Sequence, residues 1–513
     1  MARYALQEIP SPAVDAALRE ALKTLKGRNL TGAINTLGIR GDGDSVNALV
    51  EQAKSSEAEV ARAALNALGR VGSPEAAKAL SEASLPDPLA PARSEAFLTC
   101  ADLIAKRRSP KEAVKIYQDL TDAKQSLPIR VGASMGLARS DKGKAVETVL
   151  TLLKAGEHPL AVAGCQLVRE LEMDNPEATR AWAGVLVSAQ PETQAPLITA
   201  LGERGDKAAR EAVTEMLKSP DESVRLAAIR ALGPLGTAAS VPVLTDTVAK
   251  TEALSRAVTE ALGRMNDPAA DPALVESLEN ASSVPAQVCL ISAMGTRRTP
   301  AAVPVLLKVS ESGDEKVWKA AFESLGAVAG EEDLGKMVEA LVQTKDTARR
   351  AAATQAIAAM SRDLKNPEAG AKCVVEALPK ADKAGQTALL ELLPKFGGQE
   401  ALEAVRKPLA DTDAELREAA VRALSNWPTA DPMADLLKVA ETDEGNLRIL
   451  ALRGLARLAN IPGGPEKPQR TEILEKALKR AADRPEETKL LQQVLTGKPD
   501  APKGSAINPD SGK

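Results

Sequence analysis

Apolar residues recur along this chain at positions i, i+3, i+4 and i+7, which is the spacing of amphipathic helices. The segment from Val224 to Leu235 shows the pattern, with alanines and leucines on one face and arginines on the other. Aromatic residues make up only 2% of the chain, and the β-branched and aromatic enrichment that is typical of strands is missing. The pattern therefore predicts an all-α protein.

One phrase repeats: a small polar start, Val or Leu before Arg, then alanines and a closing Leu-Gly. It reads ESVRLAAIRALG at 222–233 and EVARAALNALG at 59–69. We call the leucine of Leu-Gly, or its equivalent, the anchor. Successive anchors lie about 31 residues apart, with longer steps of 37 residues after Cys100 and 36 residues after Ile357. The anchors are Leu6, Leu37, Leu68, Cys100, Leu137, Val168, Leu201, Leu232, Leu262, Met294, Leu325, Ile357, Leu393, Leu424 and Leu455.

Each period holds two helical segments, a shorter first helix and an anchor helix that carries the phrase. Neither helix can bury its apolar face alone, so neighbouring pairs must stack. The sequence therefore predicts a right-handed α-solenoid, an ARM/HEAT-like superhelix of about fifteen helix pairs with a period near 31 residues.

The solenoid is expected to cover residues 1–496, with a kink near 461–468, where glycines and prolines cluster, and a disordered tail or linker at 497–513. Only five residues precede the anchor Leu6, so the first repeat is incomplete. We expect the chain to be a fragment of a larger exported protein; a helix that simply ends the stack is the alternative. The expected compartment is cytoplasmic as the chain stands, and periplasmic or exported if the protein begins further upstream.

Four repeats carry an acid four residues before an arginine that itself lies seven residues before the anchor. An acid that precedes a base at this helical spacing is the favoured orientation. With two further arginines at the same position, these residues predict a structural ladder along one edge. Its members are Asp221 and Arg225, Asp346 and Arg350, Asp413 and Arg417, Glu444 and Arg448, with Arg93 and Arg130.

Charge and composition exclude several classes of function. Lys and Arg number 66 against 70 Asp and Glu, which gives a net charge of −4 and argues against nucleic-acid binding. The chain contains no run of 18 apolar residues, so no membrane span is predicted. The closest two of the four cysteines are 65 positions apart, so no Cys-x-x-Cys metal site exists, and no cofactor is expected.

The most enzyme-like motif is Gly-x-Ser-x-Gly around Ser134, which fits a hydrolase nucleophile elbow. That elbow requires a preceding strand and a histidine base, whereas the repeat places Ser134 in mid-helix and the single histidine, His158, in a turn. We therefore predict no catalytic and no metal-binding residues. The three tryptophans lie more than 100 residues apart and are expected to pack in the core or at its rim, with Trp318 partly exposed.

The anchor phrase and its period resemble the short HEAT-like repeats of the phycobilisome (PBS) lyase type over nearly all of residues 1–496. More narrowly, residues 1–18, 447–458 and 484–489 resemble repeat regions of large exported bacterial proteins that also carry a 3-keto-disaccharide hydrolase-type domain. The repeat family is specific for fold and nearly silent on function. With no catalytic residues predicted, we expect a non-catalytic scaffold or adaptor that binds a protein partner along the anchor helices. The alternative, implied by the narrower resemblance alone, is an accessory module of an exported carbohydrate-processing system.

Overall fold

The structure is a computed structural model that describes residues 6–107, 110–172 and 174–496. Within these ranges every regular element is a helix and there is no strand. The contacts divide the chain into two compact units. Unit 1 comprises Met1–Ser240 and Arg264–Asp267, and unit 2 comprises Val241–Gly263 and Pro268–Lys513.

Even numbers up to α28 denote anchor helices, and the first fourteen helices whose bounds are fully described lie in the first unit. They are α1 (Pro12–Ala21), α2 (Gly27–Arg40), α3 (Val46–Ala53), α4 (Ala58–Val71), α5 (Pro74–Glu82), α6 (Ala90–Arg107), α7 (Pro110–Leu120), α8 (Leu127–Ser140), α9 (Lys142–Lys154), α10 (His158–Glu170), α11 (Pro176–Ala183), α12 (Pro191–Arg204), α13 (Arg210–Glu215) and α14 (Glu222–Leu235).

The helices of the second unit continue the same alternation. They are α15 (Ser240–Lys250), α16 (Ser255–Gly263), α17 (Ala270–Asn280), α18 (Val284–Arg297), α19 (Val303–Val309), α20 (Glu315–Val328), α21 (Leu334–Gln343), α22 (Thr347–Met360), α23 (Pro367–Ala377), α24 (Lys383–Phe396), α25 (Gln399–Arg406), α26 (Ala414–Ser425), α27 (Met433–Thr442), α28 (Gly445–Leu458), α29 (Lys467–Arg480) and α30 (Pro485–Thr496).

Short 3₁₀ turns precede or extend several of these helices. They are Gly43–Ser45, Asp87–Leu89, Gly184–Val187, Lys207–Ala209, Met216–Lys218, Glu252–Leu254, Pro300–Ala302, Glu331–Asp333, Ser361–Asp363, Leu378–Lys380 and Lys407–Ala410.

Anchor helices stack on one another within each unit. In unit 1 the contacts run in order from α2 to α14, and in unit 2 they run from α16 to α28. Every anchor from Leu37 to Leu455 is buried, with at most 7% of its surface exposed, and Leu6 is partly buried. The predicted α-solenoid of stacked helix pairs is confirmed.

The glycine that follows many anchors permits close approach of the next anchor helix. A Cβ on Gly69 would lie 2.5 Å from the carbonyl oxygen of Ala96, and one on Gly202 would lie 2.8 Å from the Cβ of Ala231. The recurrent Leu-Gly therefore combines a buried apolar side chain with a contact surface that has no side chain at all.

The irregular steps of the period correspond to local changes. Helix α6 is 18 residues long, which accounts for part of the long step after Cys100. The Pro/Gly-rich segment between α28 and α29 is non-helical. It contacts the loop before α27, where the Ala430 N–H donates to the Pro462 carbonyl at 3.1 Å. The predicted tail at 497–513 and the first five residues lie outside the described part of the chain.

Candidate functional site

A groove of about 560 Å³ crosses the exposed face of the anchor helices α22, α24 and α26 in unit 2. A second hollow of about 600 Å³ extends this face to α20, because both include Ala351 and Gln355. We call the combined surface the anchor-helix groove. Besides those two residues its walls include Lys319, Glu323, Ala348, Ala352, Ala384, Thr387, Ala388, Glu391, Glu415, Glu418, Ala419 and Arg422.

The groove repeats the same register in every helix. Each anchor helix supplies the residue six positions before its anchor and the residue two positions before it, so that the two lie one turn apart on the same face. The four pairs, in order, are Lys319 and Glu323, Ala351 and Gln355, Thr387 and Glu391, and Glu418 and Arg422. These positions were not predicted from the sequence, although their variation between repeats, beside constant alanines and leucines, distinguishes them.

Charge in the groove is partly neutralised within it. Glu418 pairs with Arg422 at 2.5 Å, and Glu415 pairs with Lys383 at 2.7 Å. Hydrogen bonds to Asp413 and Glu415 raise the pKa of Lys383 above its usual value. Glu323 and Glu391 are exposed and form no ion pair with any residue that the structure describes. The groove therefore presents two free carboxylates over a floor of alanines.

The ladder arginines connect consecutive repeats. Several donate to an acid at or beside the N-terminus of the next anchor helix, where a carboxylate also suits the helix dipole. These pairs are Arg130 with Glu157 at 2.9 Å, Arg350 with Asp382 at 3.1 Å, Arg417 with Asp443, and Arg448 with Asp483 at 2.5 Å.

Other ladder contacts remain within one repeat. Arg93 donates to the carbonyl of Ala83 at 3.2 Å, and Arg225 donates to that of Ser219 at 2.8 Å. Each carbonyl lies just beyond the first helix of the pair, where a cation complements the unsatisfied C=O groups.

The acids of the four predicted pairs within a repeat differ in what they contact. Glu444 and Arg448 form an ion pair at 2.9 Å. Asp221, Asp346 and Asp413 instead cap the helix N-terminus, accepting hydrogen bonds from backbone N–H groups two or three residues ahead. The carboxylate at an N-cap lies outside the helix and turns toward its own orphan N–H groups, so it is not in the helical i,i+4 geometry.

A second set of arginines, which the sequence analysis missed, lies three residues after the anchor. Arg40, Arg204 and Arg297 each donate to the carbonyl oxygen of the preceding anchor. The acceptors are Leu6 at 2.8 Å, Val168 at 3.1 Å and Leu262 at 3.3 Å. Each of these arginine side chains thus caps the C-terminal end of the preceding anchor helix.

The Gly-x-Ser-x-Gly motif around Ser134 is explained by helix packing. Ser134 is buried in α8, and a Cβ on Gly136 would lie 2.3 Å from the ring of Tyr117, so this glycine accommodates an aromatic side chain. His158 is the exposed first residue of α10. Burial raises the pKa of the Cys100 thiol to about 12, which keeps it protonated at neutral pH.

Metal-ligand clusters and exposed aromatic side chains would mark other kinds of site. No group of three or more metal-ligating side chains occurs among the residues that the structure describes. Trp182 and Trp427 are buried, as expected for core packing. Trp318 is only 5% exposed, so its predicted partial exposure is wrong. The Lys319 ammonium and the Arg349 guanidinium lie over its ring, 5.6 and 5.3 Å from the ring centroid.

The buried anchors, stacked anchor helices and inter-repeat arginines define an α-solenoid of helical repeats. The chain contains HEAT repeats. The HEAT-repeat family model matches residues 16–101, 179–254 and 285–358, and the model of the PBS lyase HEAT-like repeat matches residues 256–280. The resemblance to PBS-lyase-type repeats is thus confirmed, whereas the narrower one to exported carbohydrate-processing proteins stays a prediction.

The chain is also similar to several solved structures. Kap95p, whose binding to RanGDP that structure concerns, shares 12% identity over 94% of this chain and 76% of that one, with a TM-score of 0.39. Importin beta shares 13% identity over 94% and 77%, with a TM-score of 0.37. The CpcE–CpcF phycocyanin lyase complex of Nostoc shares 17% identity over 50% and 91%, with a TM-score of 0.23.

Two further comparisons were negative. No curated protein sequence matches the chain. Among the described residues, no helix is both long and apolar enough to cross a membrane.

Proposed function

We propose that the chain is a non-catalytic scaffold that binds an extended, basic segment of a partner protein in the anchor-helix groove. The observation that carries the proposal is the register of the groove, in which four successive helices present the same two positions to one surface. A HEAT-repeat stack is a surface of this kind, because its repeats build an extended face rather than a single deep pocket.

The spacing of the helices suits an extended ligand. Packed helices lie about 8–10 Å apart, and an extended chain advances about 3.4 Å per residue. Each repeat therefore matches about three residues of ligand, and the four helices match a segment of about ten residues.

Charge favours a basic ligand. Glu323 and Glu391 are the two groove acids that have no cationic partner among the described residues, and they lie on α20 and α24, two repeats apart. The alanine floor leaves room for the long aliphatic stems of lysine or arginine between these carboxylates.

The test measures peptide binding by fluorescence anisotropy. Ten-residue labelled peptides with two lysines six residues apart are compared with isomers in which the lysines are replaced by glutamates. We expect the basic peptides to bind, and the double variant Glu323→Lys, Glu391→Lys to weaken that binding at least about tenfold.

The control makes the same charge change on the opposite side of the repeat. Glu368 and Glu376 are exposed acids on the first helix α23, so Glu368→Lys with Glu376→Lys should leave the affinity unchanged. Equal loss in both double variants, or no preference for basic peptides, would contradict the proposal.

A further inference from the structure

Three cationic side chains line one groove of about 530 Å³ in unit 1. They are Arg180 on α11, Lys207 in the 3₁₀ turn before α13, and Arg210 at the start of α13. The chain as a whole carries a net charge of −4, so a local excess of positive charge needs an explanation. We call this hollow the cationic groove.

These cations differ from most arginines of the protein in forming no ion pair among the described residues, although Arg180 interacts electrostatically with Asp206, which directly precedes Lys207. Arg180 and Lys207 are exposed and form no ion pair or hydrogen bond with a side chain among the described residues. Of the two acids in the groove walls, Glu215 is paired with Lys218 at 2.8 Å, which leaves Glu211 alone against three cations.

Arg210 has an unused donor edge. Its Nη1 donates to the Thr237 hydroxyl at 3.1 Å, while its Nε is buried and has no acceptor. Buried Nε atoms without an acceptor occur also in four other arginines. Arg350, Arg448 and Arg484 pair with carboxylates, and Arg349 donates to the carbonyl of Ser312. Among the described residues Arg210 has neither a carboxylate nor a carbonyl partner, and a buried donor without an acceptor is destabilising.

The register brings the three cations together. Arg180 and Arg210 are 30 residues apart, which is one repeat, so they occupy neighbouring first helices. Helices of that kind lie about 8–10 Å apart, a gap that two arginine side chains can close around one small ion. Lys207 precedes Arg210 by three residues and adds a third donor group at the same end.

We propose that the cationic groove binds a phosphate-type oxyanion, either as free phosphate or as the phosphoryl group of a modified protein side chain. Guanidinium groups hold such an anion with paired, parallel N–H donors, and a lysine ammonium adds a point charge. This site lies in unit 1 and is independent of the function proposed for the groove of unit 2.

Isothermal titration calorimetry on the full chain tests the proposal, with the ionic strength kept constant by sodium chloride. The ligands are inorganic phosphate, a peptide with phosphoserine flanked by glycine and serine, and the same peptide unphosphorylated. We expect phosphate, the phosphopeptide or both to bind, and the unphosphorylated peptide not to bind.

The variants decide where binding takes place. Arg180→Gln with Lys207→Gln changes only exposed side chains that form no ion pair among the described residues, and should weaken binding at least about tenfold. The control Arg62→Gln removes another exposed cation of unit 1, on α4, and should leave affinity unchanged. Binding of the phosphopeptide alone identifies a modified partner, and binding of phosphate as well identifies the free ion as sufficient. No binding by either, or equal binding by the double variant, overturns the proposal.

Discussion

The guanidinium of Arg350 lies 3.1 Å from the carboxylate of Asp382, which belongs to the next repeat and caps its anchor helix α24. Arg350 also donates to the carbonyl of Thr344, just after the first helix of its own repeat. One buried side chain thus joins the end of α21 to the beginning of α24, three helices further along the chain. The hydrogen bond from Gly385 N–H, together with the charge of Arg350, lowers the pKa of Asp382.

This double role predicts unequal effects of removing two similar caps. Asp346 caps α22 through the Arg349 N–H at 2.7 Å, and Asp346→Ala should cost about 1 kcal/mol of stability. Asp382→Ala should lower the unfolding midpoint further, since it also leaves the buried Arg350 without its carboxylate. Thermal and urea unfolding followed by circular dichroism measure both. Equal midpoints would show that the inter-repeat ion pair contributes nothing.

The contact behind an anchor glycine predicts opposite outcomes for two glycine-to-alanine changes. In Gly69→Ala the new methyl group meets the backbone of Ala96, so we expect a loss of about 1–3 kcal/mol from overpacking. In Gly335→Ala, inside α21, no atom lies within 4 Å of the new methyl group. That variant should gain up to about 1 kcal/mol from helix propensity. Destabilisation of both would refute the close-approach argument.

The pairing of Asp15 with Arg40 predicts a pH dependence. A side-chain hydrogen bond from Arg40 lowers the pKa of Asp15. A carboxyl group whose pKa is lower in the folded state stabilises that state above its unfolded pKa of about 3.9. The contribution is lost as the pH falls through the folded pKa. In Asp15→Asn the free energy of unfolding should be lower at pH 7 and should fall less between pH 5 and pH 2. A slope identical to that of the unmodified protein would contradict this linkage.

Nearest-neighbour packing predicts tolerance of a whole-repeat deletion. Removing residues 326–357 joins the anchor Leu325 to Ala358 in register, so α20 continues into the end of α22 and meets α24. We expect a folded chain with the same helix content per residue and a lower unfolding midpoint. Circular dichroism and size-exclusion chromatography would reveal an unfolded or aggregated product, which would contradict local stacking.

The fold was predictable because the period fixed which leucines must be buried. Leu232 and Leu325, chosen by spacing alone, are both fully buried. The ladder was predicted less well, because Asp221 has two competing uses, a salt bridge and an N-cap, and spacing does not rank them. In the structure the Asp221 carboxylate accepts a hydrogen bond from the nearby backbone N–H of Val224 at 3.0 Å.

The candidate site was the least predictable feature. The two groove positions of each repeat are present in the sequence, but which repeats form a hollow depends on the volume of neighbouring side chains. The small side chains of Ala351 and Ala388 leave space for the groove. The large ring of Trp318 is buried among its neighbours instead. Such differences emerge only when adjacent helices are placed against each other.

The residues six and two positions before the anchor have a consequence for the history and redesign of the chain. Exposed members such as Gln355 and Glu391 line the groove without entering the core that Ile357 and Leu393 occupy. In the scaffold that we propose, changes at these positions would alter what the surface binds while the packing that holds the repeats together stays intact. Specificity would then be rewritten two residues per repeat, and a duplicated repeat would lengthen the bound segment by a fixed increment.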